Sequence, residues 1–433
     1  MMRSGIKKFF SLGLSIICGL PVVALASCKD NEVEDGKVDS RYKIVYCGDI
    51  NGYEGILISQ FAEQIEDRYN VEIDTVPDSV EQGDYEILIG YTNRSESASL
   101  YETFKENKGN KGFAVKTSIS KIYLVGSDLT QTYLALDYAL ENVFVNGEDG
   151  DIAFTKSRME YVSDGTDIVF DVKELTQSGR GAQFVAEELC AYIPAVGAHS
   201  VMQGAGTDGT YAYFANIDKT DSVQEAVVYK YDLSTWTLVK TSQSLPIGHA
   251  NDIAYDAKNH RLLITTCSTG DPQYHNLAII DPDTLELVDA INLGTLGFSG
   301  VYKIEYLASS NRFLIGGSKV WVADENFSVI QAFNDPYNSK GTNQNFWTDE
   351  KYIYDLKFTS YGDIGVPGYV AIYDFNGNAF GYIPLYGLKK CEPEAIFAVD
   401  GNFYIANGLA TITSGIRMCS NCYKIELIPN LWW

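Results

Sequence analysis

An aspartate-led turn recurs through the second half of this chain, and its spacing constrains the fold more than any other feature. The copies read Tyr231-Asp-Leu-Ser-Thr-Trp236, Ile280-Asp-Pro-Asp-Thr-Leu285, Ala323-Asp-Glu-Asn-Phe327 and Tyr373-Asp-Phe-Asn-Gly377. Their leading aspartates, Asp232, Asp281, Asp324 and Asp374, are 49, 43 and 50 residues apart. An aspartate opening a turn accepts hydrogen bonds from backbone N–H groups two or more residues on, which is why the type recurs. A second series runs in step with the first: Thr207-Asp-Gly209, Ala257-Lys-Asn-His260, Ser309-Ser-Asn311, Thr348-Asp-Glu350 and Val399-Asp-Gly-Asn402. Short apolar runs fill the intervals. In the clearest unit they are Ile253–Tyr255, Arg261–Thr265, Leu277–Ile280 and Leu285–Val288, each the length and composition of a strand.

One such four-stranded unit exposes both faces of its sheet and is not stable alone. A period in the forties with four strands per unit predicts a β-propeller, here of five blades over 199–433. The fifth unit stops after its third strand, Tyr423–Leu427. Its fourth strand is expected from the N-terminal side, with Asp167–Val172 as the candidate, so that ring closure removes the exposed edges. Residues 161–198 are read as a bridge that includes this strand and a short helical run, Ala182–Cys190. The repeat resembles WD40-like propellers.

Ahead of the repeat the pattern changes. Arg3, Lys7 and Lys8 precede an apolar run, Phe9–Leu20, that is too short to span a bilayer, and small residues then lead to Cys28. The segment resembles a bacterial lipoprotein signal (1–27), which implies diacylglycerol on Cys28, a bilayer as partner, and a place in the cell envelope on the extracytoplasmic side. Acidic, aperiodic residues 28–40 read as a tether. Residues 41–160 alternate strands and helices: strands near Tyr42–Tyr46, Val71–Thr75 and Tyr85–Gly90, helices over Tyr53–Tyr69, Ser95–Glu106 and Asp128–Phe144, and a hairpin over Gly112–Gly126. Ser95 or Ser97 is expected to cap the second helix. The expected fold class is therefore α+β multidomain, a small α/β sandwich domain followed by an all-β five-bladed propeller. Glu86-Ile-Leu-Ile-Gly-Tyr-Thr-Asn-Arg94, Gly112–Lys116, Lys121–Gly126 and Thr132–Tyr138 resemble the non-catalytic N-terminal α/β domain of bacterial α-glucuronidases and β-hexosaminidases. That resemblance implies a setting in extracellular polysaccharide processing and carries over no catalytic carboxylates.

Charge and motifs narrow the function classes. Lys and Arg number 33 against 57 Asp and Glu, a formal charge of −24. This excludes nucleic acid as a partner, since its recognition needs clustered cations. No Gly-x-Ser-x-Gly, no His-Glu-x-x-His and no phosphate loop occurs, because Gly204-Ala-Gly206 is not followed by a helix. Polar residues gather where the innermost strands begin: Gln203 in the first unit, His249, Asn251 and Asp252 in the second, Tyr302 and Lys303 in the third, Gln344 and Asn345 in the fourth, Glu392 and Glu394 in the fifth. Gln203, His249, Asn251, Asp252, Gln344, Glu392 and Glu394 are the candidate ligand-binding set. Two readings fit them. Asn251, Asp252 and Glu394 offer hard oxygen ligands suited to Ca²⁺, with His249 as a base; or these side chains cap strand ends by bonding to the backbone. The entry Asn251-Asp-Ile-Ala-x-Asp256 resembles metal-dependent lactonase propellers, which implies a Ca²⁺-dependent hydrolase, although that family normally has six blades. A binding module for a glycan or surface polymer is the leading expectation, ahead of a hydrolase or lactonase and a protein-interaction scaffold. Cys419 and Cys422 are expected to form a hairpin-tip disulfide, and Trp432-Trp433 to pack against the ring.

Overall fold

The structure is a computed structural model that describes residues 37–38, 41–48, 50, 52–108, 112–118, 120–146, 152–154, 160–163, 171–177, 181–218, 224–266, 275–360, 366–388, 391–409 and 420–431. The lipidation candidate Cys28, residues 167–170 of the candidate closing strand, Cys419 and Trp432-Trp433 lie outside these residues. Among the described residues no helix is long and apolar enough to cross a membrane.

The repeat folds as a propeller-like ring of five four-stranded antiparallel sheets, here called blades 1 to 5. Their innermost strands are Val201–Thr207, Asp252–Asp256, Lys303–Leu307, Thr342–Thr348 and Cys391–Val399. Each innermost strand packs against the next, and the fifth against the first, so the ring is closed. Alternation along each strand drives this, because successive side chains face opposite neighbours. Ile253 packs toward blade 1 with Tyr213 and Val228, while Ala254 packs toward blade 3 with Ile304 and Phe313. Similar apolar layers fill the gaps between blades 3 and 4, 4 and 5, and 5 and 1. The aspartate turns form as expected. Asp232 Oδ1 accepts from Ser234 N and Thr235 N, Asp281 Oδ1 from Asp283 N and Thr284 N, and Asp374 Oδ1 from Asn376 N and Asn378 N.

Ring closure comes from the N-terminal side, but through a different segment from the one expected. Val172 begins a helix, Val172–Gln177, and the fourth strand of blade 5 is Ala182–Ile193. That strand pairs antiparallel with Ser420–Pro429 and, at Phe184–Val185, parallel with the outer strand of blade 4. The expected helix over Ala182–Cys190 is thus a strand. Its Ala, Glu and Leu content favours helix locally, and the long ladder with Ser420–Pro429 overrides that preference.

The N-terminal part is a six-stranded sheet in the order Asp74–Pro77, Lys43–Tyr46, Glu86–Ile89, Lys121–Gly126, Phe113–Thr117, Glu160–Val162. The first four strands run parallel, Phe113–Thr117 runs antiparallel to them, and Glu160–Val162 pairs antiparallel with Phe113–Thr117. Helices α1 (Gly52–Tyr69), α2 (Ser95–Lys108) and α3 (Leu129–Asn142) accompany it. Leu57, Phe61 and Ile65 of α1 and Tyr133, Leu136 and Leu140 of α3 share one core. Asp128 caps α3 by accepting from Gln131 N at 2.8 Å. Gly126 lets that helix approach, since a Cβ there would lie 2.0 Å from Thr132 N. Ser97 does not cap α2; it bridges from within the first turn, donating to Gly90 O and accepting from Thr92 N. The ends of the Glu86–Arg94 motif meet as a buried ion pair at 3.1 Å, and Lys121 adds a second cation at 3.0 Å. This core extends to Val185, Ile428 and Leu431 of the ring, so the two parts share apolar contacts. The end of the expected tether is also built in: Lys37–Val38 pairs with Ile152–Ala153, and Val38 is fully buried.

Candidate functional site

The expected ligand residues are split by a bond that crosses the axis of the ring. Asp252, on blade 2, is buried. Its Oδ2 accepts from Ile304 N on blade 3 at 2.9 Å, and its Oδ1 from Asn345 Nδ2 on blade 4 at 3.3 Å. Asn345 in turn bonds both backbone groups of Ile396 on blade 5, accepting from its N–H at 2.8 Å and donating to its C=O at 3.1 Å. Two side chains thus tie four blades together across the centre. Burial pushes the Asp252 carboxyl up to about 8, against the pull of its hydrogen bonds and of Lys303 nearby.

On the side where the innermost strands begin lie the remaining expected residues. Gln203 Nε2 donates to Glu394 Oε1 at 3.3 Å, and Gln344 Nε2 to Glu392 Oε1 at 3.0 Å. Gln203, Gln344 and Glu394 share a structural cause. The ladders of their strands shift register at Met202/Gly204, Asn343/Phe346 and Pro393/Ala395, so each sits in a β-bulge. A bulge adds one unpaired residue and re-aims its side chain, here at the same place in three blades. His249 instead turns toward Gln224 through its Nδ1, while its backbone N–H donates to Thr266 Oγ1 at 2.7 Å. Asn251 is buried, and its N–H donates to Thr265 O. Lys303 leaves the axis for a cluster between blades 3 and 4, where it pairs with Asp355. Lys357 pairs with Asp355 at 2.9 Å and with Asp335 at 2.6 Å.

Among the described residues no three His, Cys, Asp or Glu side chains converge to hold a metal ion. Of the expected Ca²⁺ set of Asn251, Asp252 and Glu394, Asp252 is engaged in the cross-axis bond and Glu394 accepts from Gln203. Of the expected disulfide, Cys419 lies outside the described residues. Cys422 is a free, buried thiol. It lies in the ladder opposite Ala406 and Ala191, inside the apolar layer between blades 5 and 1.

The cavity that all five blades share lies on the other side of the cross-axis bond, toward the ends of the innermost strands. It encloses about 230 Å³. Asn345, Ile253 and Ile396 line its inner part, Glu305 its wall, and Tyr255, Tyr306, Trp347 and Phe397 stand around it. Glu305 is partly buried, and its Oε1 accepts from Tyr306 N at 2.9 Å. Desolvation first, then the neighbouring Asp252, pushes its carboxyl up to about 8. Tyr255, Tyr306 and Trp347 occupy one repeating position, the second from the end of the inner ladder, where blade 1 has Gly206; Phe397 is third from the end of its own. Three of them stack on or tilt against the ladder partner across their hairpin: Tyr306 on Phe313, Trp347 on Tyr354, Phe397 on Tyr404. They hold the blades together and line the cavity at once. The selection of polar strand entrances missed Glu305 and these aromatics; the recurring aromatic just ahead of each first turn was the available signal. A smaller cavity of about 140 Å³ sits at the carboxyl ends of the parallel strands Lys43–Tyr46 and Glu86–Ile89.

No family model matches the chain, and no curated protein does. Among solved structures, the chain is similar to one in a nidogen/laminin complex at 12% identity and TM-score 0.33, covering 54% of this chain and 86% of that one. It is similar to an exo-β-1,3-galactanase from Phanerochaete chrysosporium at 11% identity and TM-score 0.36, over 56% of this chain and 64% of that one. It is also similar to a DUF4221 protein from Bacteroides vulgatus at 11% identity and TM-score 0.32, over 57% of this chain and 99% of that one.

Proposed function

We propose that the ring is a binding module that takes one small polar ligand, such as the end of a glycan, into the cavity shared by its five blades. One observation carries this reading: residues from all five innermost strands converge on a single pocket that combines four aromatic side chains with a carboxyl group. Concave sites with mostly apolar walls and a few placed polar groups are where small molecules bind. The lipid anchor at Cys28 and the resemblance of residues 41–160 to glycosidase accessory domains belong to the same reading, a module held at the extracytoplasmic face of a cell envelope.

The test is thermal unfolding of the purified chain against a panel of monosaccharides and short oligosaccharides. A bound ligand raises the transition in proportion to RT ln(1 + [L]/Kd), so a concentration-dependent rise is expected. Glu305→Gln, which keeps the shape of the side chain, is expected to reduce the rise. A rise that survives Glu305→Gln but is lost in Glu394→Gln would move the site to the opposite mouth and refute the reading.

A second reading rests on the raised pKa of Glu305. A carboxyl held protonated near neutral pH is suited to general-acid catalysis, as in a hydrolase. Release of reducing sugar that stops in Glu305→Gln, while ligand binding persists, would establish it.

A further inference from the structure

We propose that the ligand of the central cavity carries an organic ammonium group that pairs with the carboxylate of Glu305. The inference rests on the cavity being the binding site and goes further by naming the chemistry of what enters it.

The hydrogen-bonding capacity of the polar lining residues selects the ligand. Asp208 accepts from Thr210 N and Tyr211 N with one oxygen and from the Tyr213 hydroxyl with the other. Thr207 Oγ1 donates to Tyr211 O and accepts from Gly209 N. Asn345 is committed through both ends of its amide to Ile396 and Asp252. Glu305 is different: its Oε1 accepts from the N–H of the adjacent Tyr306, and the carboxyl keeps acceptor capacity at the cavity. None of the lining residues is Lys, Arg or His.

An anionic ligand would therefore meet carboxyl groups with no cation to receive it. A neutral sugar needs several donors and acceptors at once, and Thr207, Asp208, Asn345 and the hydroxyls of Tyr255 and Tyr306 are already engaged. An ammonium ion needs one acidic acceptor and aromatic surface. Tyr255, Tyr306, Trp347 and Phe397 supply the second, and a cation near aromatic rings gains about 0.5–2 kcal/mol as it is desolvated. The charged and titratable groups around Glu305 are Asp252 on blade 2, Glu350 on the first turn of blade 4, Asp208 on blade 1, and the phenols Tyr255 and Tyr306. Lys303, on its own strand, turns away to Asp355. The acidic surroundings that hold the proton on the empty site would stabilise a bound cation, so binding exchanges one proton for one ammonium group and conserves the site's charge.

Tetramethylammonium is the decisive probe, because it has no proton of its own to release. Calorimetric titration of the full chain at pH 7 in two buffers of different ionisation enthalpy measures protons released per cation bound. Binding with release approaching one proton is expected, with affinity rising about ten-fold per pH unit up to pH 8 and levelling above it. Glu305→Gln should weaken binding at pH 8.5 by about ten-fold or more and abolish the release. Glucosamine binding more tightly than glucose would assign the ammonium group to an amino sugar, and choline binding in place of glucosamine would assign it to a quaternary amine. Tetramethylammonium that does not bind, or binds without releasing a proton, overturns the inference. If glucose then binds in a Glu305-dependent way, the cavity remains the site; if every bound probe is indifferent to Glu305→Gln, the cavity reading falls with it.

Discussion

Replacing Asn345 with leucine cuts the cross-axis bond without opening a large void, since the two side chains are similar in size. Asn345 is 2% exposed and serves three buried partners: Ile396 N–H at 2.8 Å, Ile396 C=O at 3.1 Å and Asp252 Oδ1 at 3.3 Å. Both backbone groups of Ile396, on the innermost strand of blade 5, bond this amide. A buried polar group stripped of its partner costs about 1–3 kcal/mol. Three such groups put the loss at about 3–9 kcal/mol, a large share of the stability of an ordinary domain. Equilibrium denaturation in urea measures it as a drop in midpoint at unchanged slope. A double-mutant cycle with Asp252→Ala isolates the cross-axis part, for which a coupling of about 0.5–3 kcal/mol is expected. A loss below about 1 kcal/mol at unchanged slope, or a coupling near zero, would show that the centre is not held by this pair.

Three further outcomes follow from groups elsewhere. Glu305 is raised to about 8 in the folded chain, above the ordinary carboxyl value near 4, so the native state holds a proton that the unfolded state releases. The share of stability set by Glu305 is then full below about pH 4 and falls as pH rises to about 8, by up to about 1.4 kcal/mol per pH unit, and Glu305→Gln should make this part of a melting-temperature profile shallower, leaving the share that Asp252 contributes. Asp355→Ala strips Lys303 and Lys357 of the carboxylate they share. Breaking such a buried cluster costs about 3–5 kcal/mol, readable by chemical denaturation, and an unchanged midpoint would show that the lysines find other partners. Gly206→Ala would place a Cβ 2.0 Å from Ile253 O, so it should lower the melting temperature by separating blades 1 and 2, whereas Gly209→Ala, with open space around it, should cost only its backbone conformation.

Local chemistry made part of the site legible and hid the rest. The clustering of Gln203, Gln344 and Glu394 at strand entrances marked a real feature, because these residues sit in bulges that recur in three blades. The same reasoning placed Asp252 in a metal set, since a lone carboxylate at a strand entrance looks like any other until its partners are known. Glu305 escaped notice because it lies in the middle of a strand, where a polar residue alternating with Ile304 and Tyr306 looks like an ordinary solvent-facing position. Only the ring shows that this position faces a cavity lined by aromatic residues. Cys422 looked like half of a Cys-x-x-Cys pair, and the ladder with Ala406 shows it to be a core thiol.

The sequence by itself determined the number of blades, the order of their strands and the turns between them. Each depends on neighbours in the chain: alternation with a period of two, and an aspartate bonding the backbone two or three residues on. The tertiary structure decided which strand closes the ring and which side of the centre is hollow. Ala182–Ile193 becomes a strand because Ser420–Pro429 lies beside it, and the centre is divided where Asn345 meets Asp252, 93 residues away in the chain. Contacts of that range leave no periodic trace, so folding alone brings them into being.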